Sequence, residues 1–462
     1  MRIRFDETNL LADMVGESNG VTRAEVASSR SMAADALRAF QKRSEDGSVG
    51  FPHLPFQTAL IDSIRKYAAE VRGGYDAVCL IGIGGSALGS WALDCAMRGP
   101  HPVQPAFSTK NPKLVILDNV DPSFVGAGLR SMNPKKTLVV VIAKSGSTAE
   151  TMATFLIVEN WLRGAMGKKT SQRIVAVTSQ GHGDLAALAE REHYRTFYIP
   201  ENVGGRFSVL SAVGLVPAAL IGIDIRKLTG GAAKMTHDCW QSDIAKNPAL
   251  RAALYHYLLY TRKAKPIQVA FPYANQLWGT AFWFRQLWAE SLGKAVNRNG
   301  EVVHTGQAPV AALGTTDQHS QVQLYIEGPN DKVFTFWAVE KFSEPGKIPN
   351  TKMNLPAFDY LGGQTLVKLI DAERRATAAA MVENYRPNCT FTLEKVNEDH
   401  IGAFLQLMEF ETAFMGEFLN IDAFNQEGVE LGKKFTFGLI GRSGYESYLE
   451  KFKAYEKKRA SL

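Results

Sequence analysis

The sequence predicts an α/β protein built around a doubly wound parallel sheet, and three observations carry this. Between residues 70 and 215, short apolar runs alternate with segments of helical periodicity. Those runs are apolar on both faces, as strands must be in a sheet covered on both sides. Two loops rich in glycine and serine, "GIGGSALGS" and "KSGST", follow the first and third runs. Ligands in such sheets bind beyond the C-terminal ends of strands. The chain has 462 residues, too many for one average core, so two large domains are expected.

Taken in order, residues 1–70 read as a mostly helical N-terminal segment. "RAEVASSRSMAADALRAFQKR" and "FQTALIDSIRKYAAEVR" both carry apolar residues at helical spacing. After Gly73-Gly74 the texture changes to the strand candidates "DAVCLIGIGG", "KLVILDN", "TLVVVIAKSG", "RIVAVTS" and "RTFYIPEN". They place a first α/β domain at 71–225. A second, at 226–440, has strand candidates "KPIQVAFPY", "QVQLYIEGP", "KVFTFWAVE" and "CTFTLEKV". Its long helical patterns are "QLWGTAFWFRQLWAESLG" and "HIGAFLQLMEFETAFMGEFLN". Residues 295–318 form a long Gly/Ala/Thr-rich connection, a kind of segment that is more often functional than idle. A C-terminal amphipathic helix is expected at 441–462. No repeat or low-complexity tract appears.

Composition is that of an ordinary globular chain, 45% hydrophobic and 21% charged. The net charge of +6 comes without a basic stripe interleaved with aromatics, so a solvated surface is favoured over a nucleic-acid face. An anionic small substrate also suits that balance. Cys79, Cys95, Cys239 and Cys389 form no CxxC pair and are expected as reduced thiols of a cytoplasmic protein. "MRIRFDETNL" lacks the apolar stretch of a signal peptide, and no window is long and apolar enough for a transmembrane helix. No His/Cys/Asp/Glu group has metal-ligand spacing, so neither metal nor cofactor is expected.

The loop "KSGST" ends a buried strand and opens a helix, where free N–H groups favour an anion. An ordinary helix cap needs one hydroxyl; Ser145, Ser147 and Thr148 offer three, beside Lys144. In the first loop, Gly82, Gly84 and Gly85 allow backbone to approach a ligand closely, and Ser86 opens the next helix. That loop alone also fits a dinucleotide fingerprint, with Asp118 on a ribose, or a structural turn. Two hydroxyl-rich loops at one cleft suit a single phosphate better. Elsewhere, Arg206 follows two glycines and is either a surface arginine or a fork of donors aimed into a cleft. Gln286 and Glu290 share one helix face, and Glu290 reads as a polar-stripe residue or a base. His319 precedes a predicted strand. Gln426, Glu430 and Lys433 lie in a glycine-punctuated segment, where a helix cap and a surface lysine are the plain alternative.

Together these segments resemble the phosphoglucose isomerase family. "ENVGGRFSVLSAVGL" and "FNQEGVELGKK" are similar to its two signature segments. "IGIGGSALG", "KSGSTAET", "AESLGK" and "TTDQHS" match its other motifs in order, over about residues 75–435. The resemblance implies two doubly wound sugar-isomerase (SIS-type) domains, each a three-layer α-β-α stack, with helical N- and C-terminal extensions. It also implies a homodimer with active sites near the subunit interface. By motif, Ser145 and Thr148, with Lys144 and Ser147 nearby, would hold a phosphate, and Gly85 and Ser86 would line the sugar. Glu290 would be the base that moves a proton between C2 and C1, and Arg206 would face the enediolate. His319 and Lys433 would open the sugar ring, with the histidine often supplied by the partner subunit, and Gln286 and Gln426 would orient the substrate. Where the family often has a serine before the phosphate-loop lysine, this chain has Ala143. The activity implied is interconversion of glucose 6-phosphate and fructose 6-phosphate, in glycolysis and gluconeogenesis. The alternatives are a non-catalytic sugar-phosphate sensor on the same fold, an isomerase that also accepts mannose 6-phosphate, and a nicotinamide dehydrogenase.

Overall fold

A computed structural model describes residues 3–100, 110–350 and 355–462. Its first sheet contains β2 (Ala77–Ile81), β3 (Lys113–Leu117), β4 (Thr137–Ile142), β5 (Ile174–Thr178) and β6 (Arg195–Tyr198). All pair in parallel, in the order β3-β2-β4-β5-β6. The five expected runs are therefore its five strands. Every residue of β2, β4 and β5 is buried, which explains their unbroken apolar character.

The second sheet has the order β1-β12-β11-β7-β10. It contains β7 (Ile267–Pro272), β10 (Ala308–Ala311), β11 (Lys332–Lys341) and β12 (Asn388–Lys395), all parallel. β1 (Ile3–Asp6) closes the edge antiparallel to β12. Between β7 and β10 stands a small antiparallel hairpin, β8 (Lys294–Val296) with β9 (Val302–Thr305).

Three expectations need correction. "QVQLYIEGP" is not a strand: Val322–Glu327 is a short helix. Its apolar residues serve either period over so short a run, and the segment follows a helical turn, Thr316–His319. His319 therefore precedes a helix, and the next strand begins only at Lys332. Residues 295–318 are not a plain connection, since most of β8 and all of β9 and β10 fall within them. β10 reads as loop because "APVA" is short and contains proline; an edge strand tolerates both. The N-terminal segment likewise contributes β1, whose alternating "IRFD" buries Ile3 and Phe5 and exposes Arg4 and Asp6.

The helix Glu398–Phe418 runs through the centre, with 18 of its 21 residues buried, among them the polar His400, Gln406, Glu409, Glu411 and Thr412. It crosses the helix Ile225–Cys239 backbone to backbone. A Cβ on Gly402 would lie 1.9 Å from the Leu228 carbonyl oxygen, and one on Gly231 1.8 Å from that of Asp399. Phe40, Phe51, Phe410 and Phe414 pack around this centre with ring centroids 5.4 to 5.9 Å apart. N-terminal and C-terminal segments thus share one core. The last two helices, Glu430–Leu439 and Glu446–Ala460, pack on each other through Phe435, Tyr448 and Phe452. Leu431, Leu439, Ile440 and Tyr455 on this pair are exposed.

Candidate active site

In the first sheet the chain goes from β2 to β3 on one side and then to β4 on the other, so strand order reverses between β2 and β4. A crevice opens beyond the C-terminal ends of strands at such a reversal. Both glycine/serine loops leave from these two strands. The helix Leu88–Arg98 begins after the turn Gly84–Ser86, and its N-cap Ala87 supplies no side-chain cap. The helix Ala149–Met166 begins at Thr148, whose hydroxyl makes no cap bond either. First-turn N–H groups of two helices are thus left without a side-chain acceptor at one crevice, which suits an anion. Ser145 Oγ and Ser147 Oγ are 2.6 Å apart. Lys144 is engaged differently: its Nζ donates to the carbonyls of Glu201 (2.7 Å) and Val203 (3.3 Å), bracing the segment that leads to Arg206.

Two glycines bring other segments against the loop after β2. A Cβ on Gly85 would lie 2.3 Å from the Gly205 carbonyl carbon and oxygen, so the β2 loop touches the turn Gly205–Phe207 backbone to backbone. A Cβ on Gly84 would come within 2.8 Å of Gln286 Nε2. Gln286 and Glu290 sit on the helix Trp278–Leu292, which packs against Leu88–Arg98. Ser86, Gln286, Glu290 and Arg206 are in this way gathered around one junction.

Arg206 is the centre of that junction. Its side chain is 1% exposed. Nε donates to Ser291 Oγ (2.7 Å), Nη1 to Gln426 Oε1 (3.2 Å), and Nη2 to the carbonyls of Ala423 (2.5 Å) and Asn425 (2.9 Å). Nη1 also reaches Glu290 Oε2 at 3.5 Å. Burial lowers the guanidinium pKa from its usual value, and the charges of Glu290 and Asp422 oppose that shift. An arginine remains a fixed cation there. Glu290 Oε2 accepts from Gln286 Nε2 at 3.3 Å. Both contacts to the carboxylate are long, and its side chain keeps 29% exposure, so it is oriented without being locked. Among the described residues, Gln286 Oε1 and Asn425 Oδ1 are buried acceptors with no donor.

Glu290, Lys294, Arg298, Asp422, Asn425 and Gln426 border a cleft of about 810 Å³. Sequence reasoning missed Ser291, Lys294 and Asn425. Asn425 meets Arg206 through its backbone carbonyl, which no residue type signals. Ser291 and Lys294 had one cue: they crowd polar groups beside Glu290 at the end of an otherwise apolar helix.

Two predicted residues, His319 and Lys433, make no bond to this junction among the described residues. Residues 312–314 run on beside the C-terminal end of β7 through the bonds Ala312 N to Ala270 O and Gly314 N to Pro272 O, and His319 lies just beyond them, exposed. Glu290 is at the far end of the helix leaving β7, which rises about 18 Å between Trp278 and Glu290. Lys433 lies on the exposed helix Glu430–Leu439, where its Nζ pairs with Glu430 at 2.8 Å. Among the described residues, no hydrogen bond or ion pair joins either one to Arg206 or Glu290.

The four cysteines are free and buried, and no helix is long and apolar enough to cross a membrane among the described residues.

The chain is similar to known proteins along nearly its whole length. The family model "Phosphoglucose isomerase" matches residues 23–452. A glucose-6-phosphate isomerase of Carboxydothermus hydrogenoformans is 42% identical, covering 96% of each chain. One from Rubrobacter xylanophilus is 38% identical over 96% of this chain and 99% of the relative. A crystal structure of a hypothetical protein from Thermus thermophilus superposes with a TM-score of 0.84 at 35% identity, over 95% of this chain and 99% of that one. The glucose-6-phosphate isomerase structure from Chlamydia trachomatis gives 0.73 at 24% identity, over 86% and 77%, a likeness of fold. The chain belongs to the phosphoglucose isomerase family.

Proposed function

We propose that this protein interconverts D-glucose 6-phosphate and D-fructose 6-phosphate, an aldose–ketose isomerisation through a cis-enediolate. The observation that carries this is a buried arginine set beside a loosely held carboxylate, in a chain of this family. The phosphate binds at Ser145, Ser147 and Thr148 and at the helix start they precede. Such remote binding fixes the sugar for chemistry several bonds away. Gly85 and Ser86 line the sugar. Lys144 supports the phosphate loop from behind, through the carbonyls it holds.

The substrate is a cyclic hemiacetal, so an acid and a base must first open it, and His319 and Lys433 take these roles. The C2 proton is then acidic because the adjacent C1 carbonyl can take up charge. Glu290 removes that proton and returns it to C1. Arg206 stands fixed beside the carboxylate, where its charge stabilises the oxyanion as it develops. Hydroxyls of the open chain are natural donors for the buried acceptors Gln286 Oε1 and Asn425 Oδ1. Gln426 orients the substrate from the opposite loop.

Among the described residues neither His319 nor Lys433 is bonded to Glu290 or Arg206, and the C-terminal helix pair exposes apolar side chains. Both features favour a homodimer in which His319 enters the partner's site. A cytoplasmic location and a place in glycolysis and gluconeogenesis go with this function. An assay coupling fructose 6-phosphate formation to a reporter, run with glucose 6-phosphate and mannose 6-phosphate side by side, tests it. Turnover of the glucose ester is expected. No turnover of either, with retained binding, would make the protein a sensor instead.

A further inference from the structure

One cation beside the catalytic pair has no part in the chemistry described. Lys294 follows the helix that carries Glu290 and opens β8, where its backbone pairs with Thr305. Its Nζ donates to two carbonyls, that of Glu290 at 2.6 Å and that of Asn425 at 3.0 Å. The first belongs to the last turn of the helix, where carbonyls lack intrahelical partners and attract cations. The second is the oxygen that also accepts from Arg206 Nη2. One carbonyl is therefore shared by two cations, and a single side chain ties the helix end holding the carboxylate to the loop holding the guanidinium.

The other supports of that loop act at different points. Arg43 Nη2 binds Asp422 Oδ1 at 2.9 Å and stacks over Phe424, and Phe424 packs on Phe207 with ring centroids 5.0 Å apart. Arg298 N donates to the Asn420 carbonyl at 2.8 Å. Lys294 alone among these three hydrogen-bonds a loop residue, Asn425, that is itself bonded to Arg206 and borders the cleft.

We propose that Lys294 is a positioning residue for the isomerisation, setting the Arg206–Glu290 geometry through the Asn425 and Glu290 carbonyls; this rests on the function proposed above. The ammonium faces Arg206 from the turn Gly205–Phe207, Glu290 from its own helix, and Asp422 and Glu427 from the loop. Arg43 and Arg298 border the same cleft. Burial foremost, and then Arg206, push its pKa down to about 8, against the acidic neighbours. As pH rises through that value the charge is lost and the two charge-assisted bonds weaken.

The test compares wild type, Lys294→Met and Lys294→Arg by steady-state kinetics against pH, thermal unfolding, and hydrogen exchange over residues 420–429 and 144–148. Lys294→Met is expected to lower kcat by about tenfold to a hundredfold with little change in KM, since small displacements of reacting groups cost that much. Its exchange should quicken at 420–429 and stay unchanged at 144–148. Lys294→Arg should restore part of kcat and lose the decline that wild type shows above about pH 8. Wild-type kcat in Lys294→Met would overturn the proposal, as would a loss matched by faster exchange in both segments. Should wild type itself isomerise nothing, the function above falls, and the exchange pattern alone still decides whether Lys294 holds the loop.

Discussion

At the scale of single residues, Arg206 shows how one side chain can serve chemistry and architecture together. A surface arginine and a cleft arginine are both compatible with "VGGRFS". Burial decides between them, because a guanidinium 1% exposed with five acceptors around it is not a surface group. The consequence is that Arg206→Ala carries two penalties. It strands the Ser291 hydroxyl and the Ala423 carbonyl, which costs about 2–3 kcal/mol of stability, read as a lower midpoint in chemical denaturation. It also removes charge that acts on the transition state, so kcat falls more than KM rises. Equal changes in both constants would reduce Arg206 to a binding group. Glu290 was harder to read from sequence. Its spacing from Gln286 fits a polar stripe equally well, and only the distant Arg206 distinguishes a reactive carboxylate from a solvated one.

At the scale of elements, the loop proposed for the phosphate was legible as a strand end and a helix start because those cues are local. A strand apolar on both faces, a hydroxyl-rich turn and a helix start are all contained in "TLVVVIAKSGSTAET". What was not legible depends on contacts across the chain. Nothing in "IGIGGSALG" tells that Gly85 lies against Gly205, yet that approach joins the two halves of the site. Gly85→Ala should therefore separate the loops, lowering the unfolding temperature by several degrees and kcat/KM by about tenfold or more. Gly164→Ala makes a control: a Cβ there meets nothing within 4 Å, and the helix interior should gain about 0.5–1 kcal/mol. Unchanged activity in Gly85→Ala would mean that the crevice and the Arg206 turn work independently. β10 escaped the sequence for a similar reason. Four residues including a proline carry no periodic signal, and β7 is what makes them a strand.

At the scale of the whole molecule, the sequence indicated two parallel sheets but not how the termini knit them together. β1 completes the second sheet, and Phe40, Arg43 and Phe51 of the N-terminal segment support the loop at 422–426. Long-range pairing of this sort leaves no trace in local pattern. The positions of His319 and Lys433 give the molecular-scale prediction. If His319 completes the partner's site, His319→Ala and Glu290→Gln homodimers are each inactive, while a refolded equal mixture regains about a quarter of wild-type activity. Half of the dimers are then hybrids, each with one intact site. Assay of the mixture, with sedimentation to verify dimers, settles this. A mixture as inactive as its parents would place His319 within its own subunit's site or outside the chemistry.

The proton transfer assigned to Glu290 can be observed directly by NMR, with glucose 6-phosphate incubated in D2O with wild type or Glu290→Gln. Wild type should form fructose 6-phosphate whose new C1 hydrogen is partly the proton carried over from C2 and partly deuterium, which enters when the protonated Glu290 exchanges with solvent before returning it. Glu290→Gln should still bind the sugar phosphate but isomerise it about 10² to 10⁴-fold more slowly, the usual contribution of a positioned base. A variant that keeps more than about a tenth of the wild-type rate, against that expectation, would contradict the role given to Glu290 and the mechanism built on it.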